Sequence, residues 1–134
     1  MKKSKKQRKI SRKGLIKQLD TLTRQICILR DDSTCQWCGS KVQGVYAQCS
    51  HVRTRKYYDT RWERSNVKIL CPGCHRRWHD NPVEADAWFN EKFPDRRNWI
   101  LERQRVAPHT WHDEDLLKIK RELEEKLHEL ERDL

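Results

Sequence analysis

The chain has 134 residues, a formal net charge of +10, 35% hydrophobic against 37% charged residues, and six cysteines. That length fits one domain, the apolar content is too thin for a large core, and no stretch is apolar enough to read as a membrane span. The charge is uneven: residues 1–13 hold eight Lys or Arg and no acid, residues 113–134 hold nine acids against five bases, and residues 14–112 keep +6. A basic tail joined to a basic middle reads as a binder of polyanions whose affinity falls with salt. A solubilising tail would account for residues 1–13 alone.

In chain order, residues 1–13 read as a disordered basic tail and residues 14–134 as a single domain. Leu15, Leu19, Leu22, Ile26 and Leu29 recur at steps of four and three, which predicts an amphipathic helix over residues 14–31. Residues 45–52 suit a strand and residues 67–70 a second one, with a polar loop between them that carries Arg53, Arg55, Lys56, Arg61 and Arg64. A helix is predicted from His75. Asn81-Pro82 predicts the cap of the next helix, running towards Phe93, and Pro94-Asp95 opens a short one containing Trp99. Thr110, with Asp113 three residues on, predicts the cap of a last helix in which Leu116, Ile119, Leu123, Leu127, Leu130 and Leu134 form one stripe. The stripe suits either packing on the first helix or a homodimeric coiled coil. The six tryptophans share no period and read as core filling.

Two Cys-x-x-Cys pairs carry the clearest chemistry. Cys35 and Cys38 precede Gly39, and Cys71 and Cys74 flank a Pro-Gly step, so both pairs sit in turns that can aim two sulfurs at one point. The Lys- and Arg-rich start has no apolar run behind it, which predicts no signal peptide and favours a reducing compartment. Four thiolates around structural Zn²⁺ are therefore expected in preference to two disulfides. A set with His75 or His79 in place of one cysteine is the lesser alternative. Cys27 and Cys49 lack the spacing and read as buried small apolar residues. His75 and His79 stand four apart, so on a helix they share a face and can hold one divalent ion. His51, at a strand end, is a candidate general base, because imidazole titrates near neutral pH; taken alone it would read as a packed strand histidine.

Strand, loop with Asn66, strand, cysteine knuckle and helix follow in the order of the ββα-metal fold. The run Cys35-Gln-Trp-Cys38-Gly39, Ser50-His51, Asn66 and Cys71-Pro-Gly-Cys74-His75 resembles the HNH (His-Me finger) endonucleases that carry a four-cysteine zinc site. More narrowly it is similar to the NinG/Rap recombination endonucleases of lambdoid phages, as is Trp111 leading into a charged, Leu-rich terminal helix. The resemblance spans residues 15–134. It implies an α+β fold with a zinc-stapled ββα-metal core over residues 32–93 and a helical extension over residues 95–134. It also implies a metal-dependent DNA endonuclease that leaves 5′-phosphate and 3′-hydroxyl ends on branched recombination intermediates such as Holliday junctions and D-loops, in the host cytoplasm or nucleoid.

Within that resemblance His51 is the base, Asn66 ties the loop so that the base is held, and His75 is a ligand of the catalytic cation, with His79 a second ligand or phosphate contact. Ser50 stands where many HNH enzymes have an Asp or His ligand. Its hydroxyl is a weak one, with Asp59, Glu63, Asp80 or water as substitutes. Arg53, Arg55, Lys56, Arg76 and Arg77 would contact flanking phosphates. Mg²⁺ prefers oxygen ligands, so an imidazole-rich site leans towards Mn²⁺, Co²⁺, Ni²⁺ or Zn²⁺. The other function class is a non-catalytic zinc module that binds nucleic acid.

Overall fold

The computed structural model describes residues 10–134; of the basic tail expected over residues 1–13, residues 1–9 lie outside the described residues. The chain is α+β. Helices α1 (Arg12–Arg30), α2 (Tyr58–Arg61), α3 (Pro72–Asp80), α4 (Pro82–Lys92), α5 (Pro94–Gln104) and α6 (Asp113–Arg132) surround one antiparallel pair, β1 (Gln48–His51) and β2 (Val67–Leu70). No helix among the described residues is long and apolar enough to cross a membrane.

Helix α1 is the spine. It begins at Arg12, two residues before the expected start, because the Ser11 hydroxyl accepts a hydrogen bond from the Gly14 N–H at 3.0 Å and caps the free end. Arg12 and Lys13 therefore belong to the helix and not to a tail. Leu15, Leu19 and Ile26 bury one face against Leu116 and Leu123 of α6, with Ile119, Leu127 and Leu130 packed alongside. The terminal stripe is thus spent inside the chain, except for Leu134, which is 89% exposed. At the other end of α1, the buried Asp31 carboxylate accepts from the Ile69 N–H at 2.9 Å and from Arg30 Nε at 2.8 Å. One side chain thereby ties the helix end to β2.

Three predicted boundaries shift for local reasons. The strand expected over residues 45–52 shortens to β1, because Gly44 adopts φ +55° and Gly44–Tyr46 forms a 3₁₀ turn before the chain extends. Helix α3 starts at Pro72, ahead of His75: Cys71 is its N-cap, its sulfur accepting from the Cys74 N–H at 3.4 Å, and proline takes the first position, where no N–H is needed. Helix α6 is capped by His112 in place of Thr110, because Asp115 reaches back to the His112 N–H at 2.8 Å and places acids in the first turn, where the helix dipole favours them. At α4, Asn81 holds the capping position, but its side-chain amide donates to the Arg77 carbonyl instead.

β2 is buried along its whole length, so both of its faces are covered. Val67 and Ile69 pack with Cys27, Val42 and Ala47, whereas Leu70 joins Cys35 and Cys74 on the knuckle side. Five of the six tryptophans divide between two sites, Trp99 standing apart on α5. Trp62 is buried between α1 and α6, with Trp111 beside it. Trp37 stacks on Trp88 with centroids 4.7 Å apart, and Trp78 meets both edge-on, which braces the first knuckle against α3 and α4.

Candidate metal centre and histidine cleft

The sulfurs of Cys35, Cys38, Cys71 and Cys74 all lie within 4.8 Å of one another. Cys38 Sγ and Cys71 Sγ are 3.9 Å apart. A tetrahedral Zn²⁺ with bonds near 2.3 Å requires sulfurs about 3.8 Å apart, so the set surrounds a site of the right size for that ion, which it would close around by no more than about 1 Å. Local turns create the fit. Gly39 at φ +80° closes the first knuckle, with its N–H on the Cys35 carbonyl at 2.9 Å, while the second pair opens α3. The hydrogen bond from the Ser40 hydroxyl lowers the Cys38 thiol to about 6, whereas burial raises that of Cys74. One sulfur is ready to ionise and another resists, an imbalance that a bound dication removes by letting all four shed their protons. His75 and His79 are engaged elsewhere, so neither replaces a cysteine.

A cleft of about 650 Å³ opens between α1, the Gly44–Tyr46 turn, β1 and α3, lined by Asp20, Arg24, Gln48, His51, Arg55 and His75 among others. His51 Nε2 lies 2.9 Å from the Arg61 carbonyl oxygen. A carbonyl only accepts, so Nε2 is the protonated nitrogen and the neutral ring carries its lone pair on Nδ1. Burial, partly offset by that hydrogen bond, pulls the imidazole down to about 4, so His51 is neutral at physiological pH. His75 Nδ1 donates to Gln48 Oε1 at 2.6 Å, which leaves its lone pair on Nε2. That nitrogen faces His79 Nε2 at 3.1 Å.

Asn66 is fully buried and closes the loop that follows β1. Its Oδ1 accepts from the Arg53 N–H at 2.8 Å, and its Nδ2 donates to the Arg53 carbonyl at 2.9 Å. Its own carbonyl accepts from the Val52 N–H at 2.8 Å, so His51 sits at the mouth of a loop fixed by three bonds to one residue.

Ser50 does not reach this cleft. It is 0% exposed, and its hydroxyl accepts from the equally buried Lys68 Nζ at 2.8 Å, with that amine 3.3 Å over the Trp78 ring. A fully buried amine needs an acceptor, and burial pulls it well below the ordinary lysine range. The hydroxyl is spent on that need, which corrects the expectation that Ser50 ligates a cation. Ser50→Ala is accordingly expected to cost about 1–3 kcal/mol in urea unfolding, the penalty of an unpartnered buried donor, and to leave divalent-metal affinity within twofold. A large fall in metal affinity at unchanged stability would reinstate Ser50 as a ligand.

The family model described as bacteriophage lambda NinG protein matches residues 1–133. The chain belongs to that family. No curated protein and no solved structure matches it.

In this NinG-family chain the expected basic contacts separate into groups. Arg53 is not free for phosphate: its Nη1 binds both oxygens of Asp59, at 2.9 and 3.0 Å, its guanidinium lies over Tyr57, and the side chain is only 13% exposed. That bond also ties up Asp59, one of the carboxylates expected to complete the cation site. Arg77 pairs with Glu84 and lies over Trp37. Arg55 binds Asp20 at 2.6 Å yet stays largely exposed on the cleft wall. Lys56 and Arg76 are exposed and form no ion pair among the described residues. Cys27 is buried in the core beside β2 with Cys49 packed against it, and neither belongs to the four-sulfur cluster, although Cys49 also lines the cleft and the Cys27 sulfur meets Arg30 and Asp31.

Sequence reasoning missed Asp20, Arg24 and Gln48. Asp20 gathers Arg55, Arg61 and the Trp62 indole N–H. Burial works against its ionisation, but the bonds from Arg61 and Trp62 outweigh it and hold the carboxyl below its usual value. Asp20 is the only acid in residues 1–30, a signal that was available. Gln48 carried none, because a polar strand residue has no period that distinguishes it.

Proposed function

We propose that this chain is a metal-dependent DNA endonuclease of the HNH, ββα-metal type, acting on branched recombination intermediates. The observation that carries the reading is a neutral imidazole, His51, held by its Nε2 on the Arg61 carbonyl and lining one cleft with His75. The order β1, β2, α3, with Asn66 binding the intervening loop, supports the ββα-metal reading. A bound divalent cation would neutralise charge on the phosphate and the departing oxygen. His75 and His79 would hold it, since 3.1 Å between their Nε2 atoms is close to the separation of neighbouring nitrogens on a metal with bonds near 2.1 Å, about 3.0–3.4 Å. Water and phosphate would complete its shell. The structural Zn²⁺ would sit in the four-cysteine cluster and take no part in the chemistry.

His51 Nδ1 takes a proton from water as its oxygen attacks phosphorus, and the P–O3′ bond breaks on the opposite side. The departing 3′ oxygen takes a proton from a solvent water and the imidazolium returns its own to solvent, so the products are a 5′-phosphate and a 3′-hydroxyl. Asn66 and Arg61 orient the base. Arg55 on the cleft wall, with the exposed Lys56 and Arg76, would meet flanking phosphates, contacts that suit recognition of shape over sequence.

The test is cleavage of a labelled four-way junction and a matched linear duplex in Mg²⁺, Mn²⁺, Co²⁺ and EDTA, with band-shift binding alongside. Metal-dependent nicking of the junction is expected. Gln48 orients His75, so Gln48→Leu should weaken Mn²⁺ binding by titration calorimetry about 10–100-fold, as loss of an outer-shell partner does, with the four cysteines still holding zinc. Unchanged Mn²⁺ affinity would remove Gln48 from the site. The engagement of Ser50 by Lys68 favours the second reading, a non-catalytic zinc module. Binding of junction without cleavage in any metal would establish that reading in place of the nuclease.

A further inference from the structure

Beside the cleft stands a feature that hydrolysis does not use. Val45 is 79% exposed and Tyr46 63% exposed on the Gly44–Tyr46 turn, side by side, with Gly44 and Val45 forming part of the cleft wall that also holds His51. Other large apolar side chains this exposed stand alone at a helix start or chain end, as Val83 and Leu134 do. The turn is built to hold its pair outward. Arg24 reaches from α1 to both of its ends, Nη2 donating to the Gly44 carbonyl and Nε to the Ala47 carbonyl at 3.2 Å. Inside the turn, the Tyr46 N–H binds the Gln43 carbonyl and the Ala47 N–H the Gly44 carbonyl, while Ala47 itself is buried in the core. Such bracing is needed for a side chain that pushes against something.

We infer that Val45 and Tyr46 form a wedge that enters the base stack of DNA at the cleft, so that the chain selects DNA whose stack is already weakened at a branch. Charge complementarity identifies the occupant. Residues 14–112 carry +6, Arg55 stands on the cleft wall, and the one acid there, Asp20, is neutralised by Arg55 and Arg61. A polyanion with apolar faces between its charges fits both the arginine and the exposed pair. In a continuous duplex those faces are covered by neighbouring base pairs, so the wedge must first separate them. At a branch point the stack is already interrupted on one side, so opening the step costs less than in a continuous duplex, and Tyr46 offers a ring on which a base can stack. The inference takes the cleft location from the proposed nuclease reading but needs no cleavage.

The experiment uses a four-way junction with 2-aminopurine beside the branch, and a linear duplex with the same probe, in Ca²⁺. Wild type is compared with the Val45→Ala/Tyr46→Ala double variant and with Tyr46→Trp, each checked by thermal melting. Wild type is expected to raise 2-aminopurine fluorescence at least twofold on the junction and to bind it about tenfold more tightly than the duplex. The double variant should lose the fluorescence rise and bring that preference to within twofold, with duplex affinity and melting unchanged, and Tyr46→Trp should keep both. A double variant that keeps preference and fluorescence overturns the wedge, as does a wild type without a fluorescence rise, or a pair whose removal only dissociates a dimer in sedimentation. If wild type unstacks the junction but cuts it in no metal, the nuclease reading fails and the wedge stands; cutting without unstacking is the reverse. Failure of wild type to bind DNA overturns both.

Discussion

Cys71→Ser is expected to abolish stoichiometric zinc binding and, with it, cooperative unfolding. Cys71 follows directly on β2, and its sulfur both caps α3 and belongs to the cluster, so two structural roles meet at one atom. The metal contribution dominates. Structural zinc sites supply roughly 10–16 kcal/mol of apparent binding energy at neutral pH, comparable with the whole stability of a chain this size, about 7–20 kcal/mol. The knuckle side has little to replace it, since its buried cluster is only Cys35, Leu70 and Cys74 with Trp37, Trp78 and Trp88 packed around them. Metal analysis of the purified protein should give one zinc per chain, and a thiol reagent should find Cys35, Cys38, Cys71 and Cys74 protected until a chelator is added. After chelation the near-ultraviolet signal of the Trp37, Trp78 and Trp88 cluster should collapse. The longer α1 and α6 pair, which buries its own leucine face, should retain helical signal. A wild-type protein that melts identically with and without chelator would mean that the cluster is a set of packed thiols and no metal site.

The features legible in the sequence were those set by short-range rules. Paired cysteines in Gly- and Pro-containing turns led to a four-sulfur cluster, the spacing from Leu15 to Leu29 led to a helix, and residues 67–70 led to β2 itself. Boundaries failed where a side chain made an unforeseen bond: Ser11 began α1 early, Asp115 moved the cap of α6 to His112, and Cys71 opened α3 ahead of His75. The site was legible by residue type and less so by role. His51, His75 and Asn66 stand at the cleft or its loop, but Ser50 turned inward because Lys68 had no other acceptor, and Arg53 was drawn to Asp59. Neither partner is within the span that periodicity describes. Asp20 and Gln48 depend on α1 and α3 meeting β1 in space, which no local pattern encodes.

His51→Ala is expected to lower junction cleavage about 10²–10⁴-fold, the range contributed by a general base, while junction binding stays within a few-fold. The alanine also frees the Arg61 carbonyl, so a drop in rate alone would not separate chemistry from support. His51→Gln does separate them: its amide can still donate to that carbonyl, yet it has no basic nitrogen, so it should fold like wild type and cut no better than alanine. The buried imidazole adds a second, independent signature. With its titration held near 4, against about 6.5 for an ordinary histidine, the folded protein binds fewer protons at this position than the unfolded chain. Stability from His51 is therefore complete above about pH 6.5 and is lost as pH falls towards 4. From pH 7.5 to 5 the wild type should lose about 2 kcal/mol more than His51→Gln in urea unfolding. By NMR the His51 ring should titrate with a midpoint near 4, and the cleavage rate should show no His51 limb between pH 5.5 and 8. A glutamine variant that cuts within tenfold of wild type would take the proton-accepting role away from His51 and leave its Arg61 bond as a purely structural one, whereas a midpoint near 6.5 would overturn the buried, neutral state of the ring and the pH dependence of stability drawn from it.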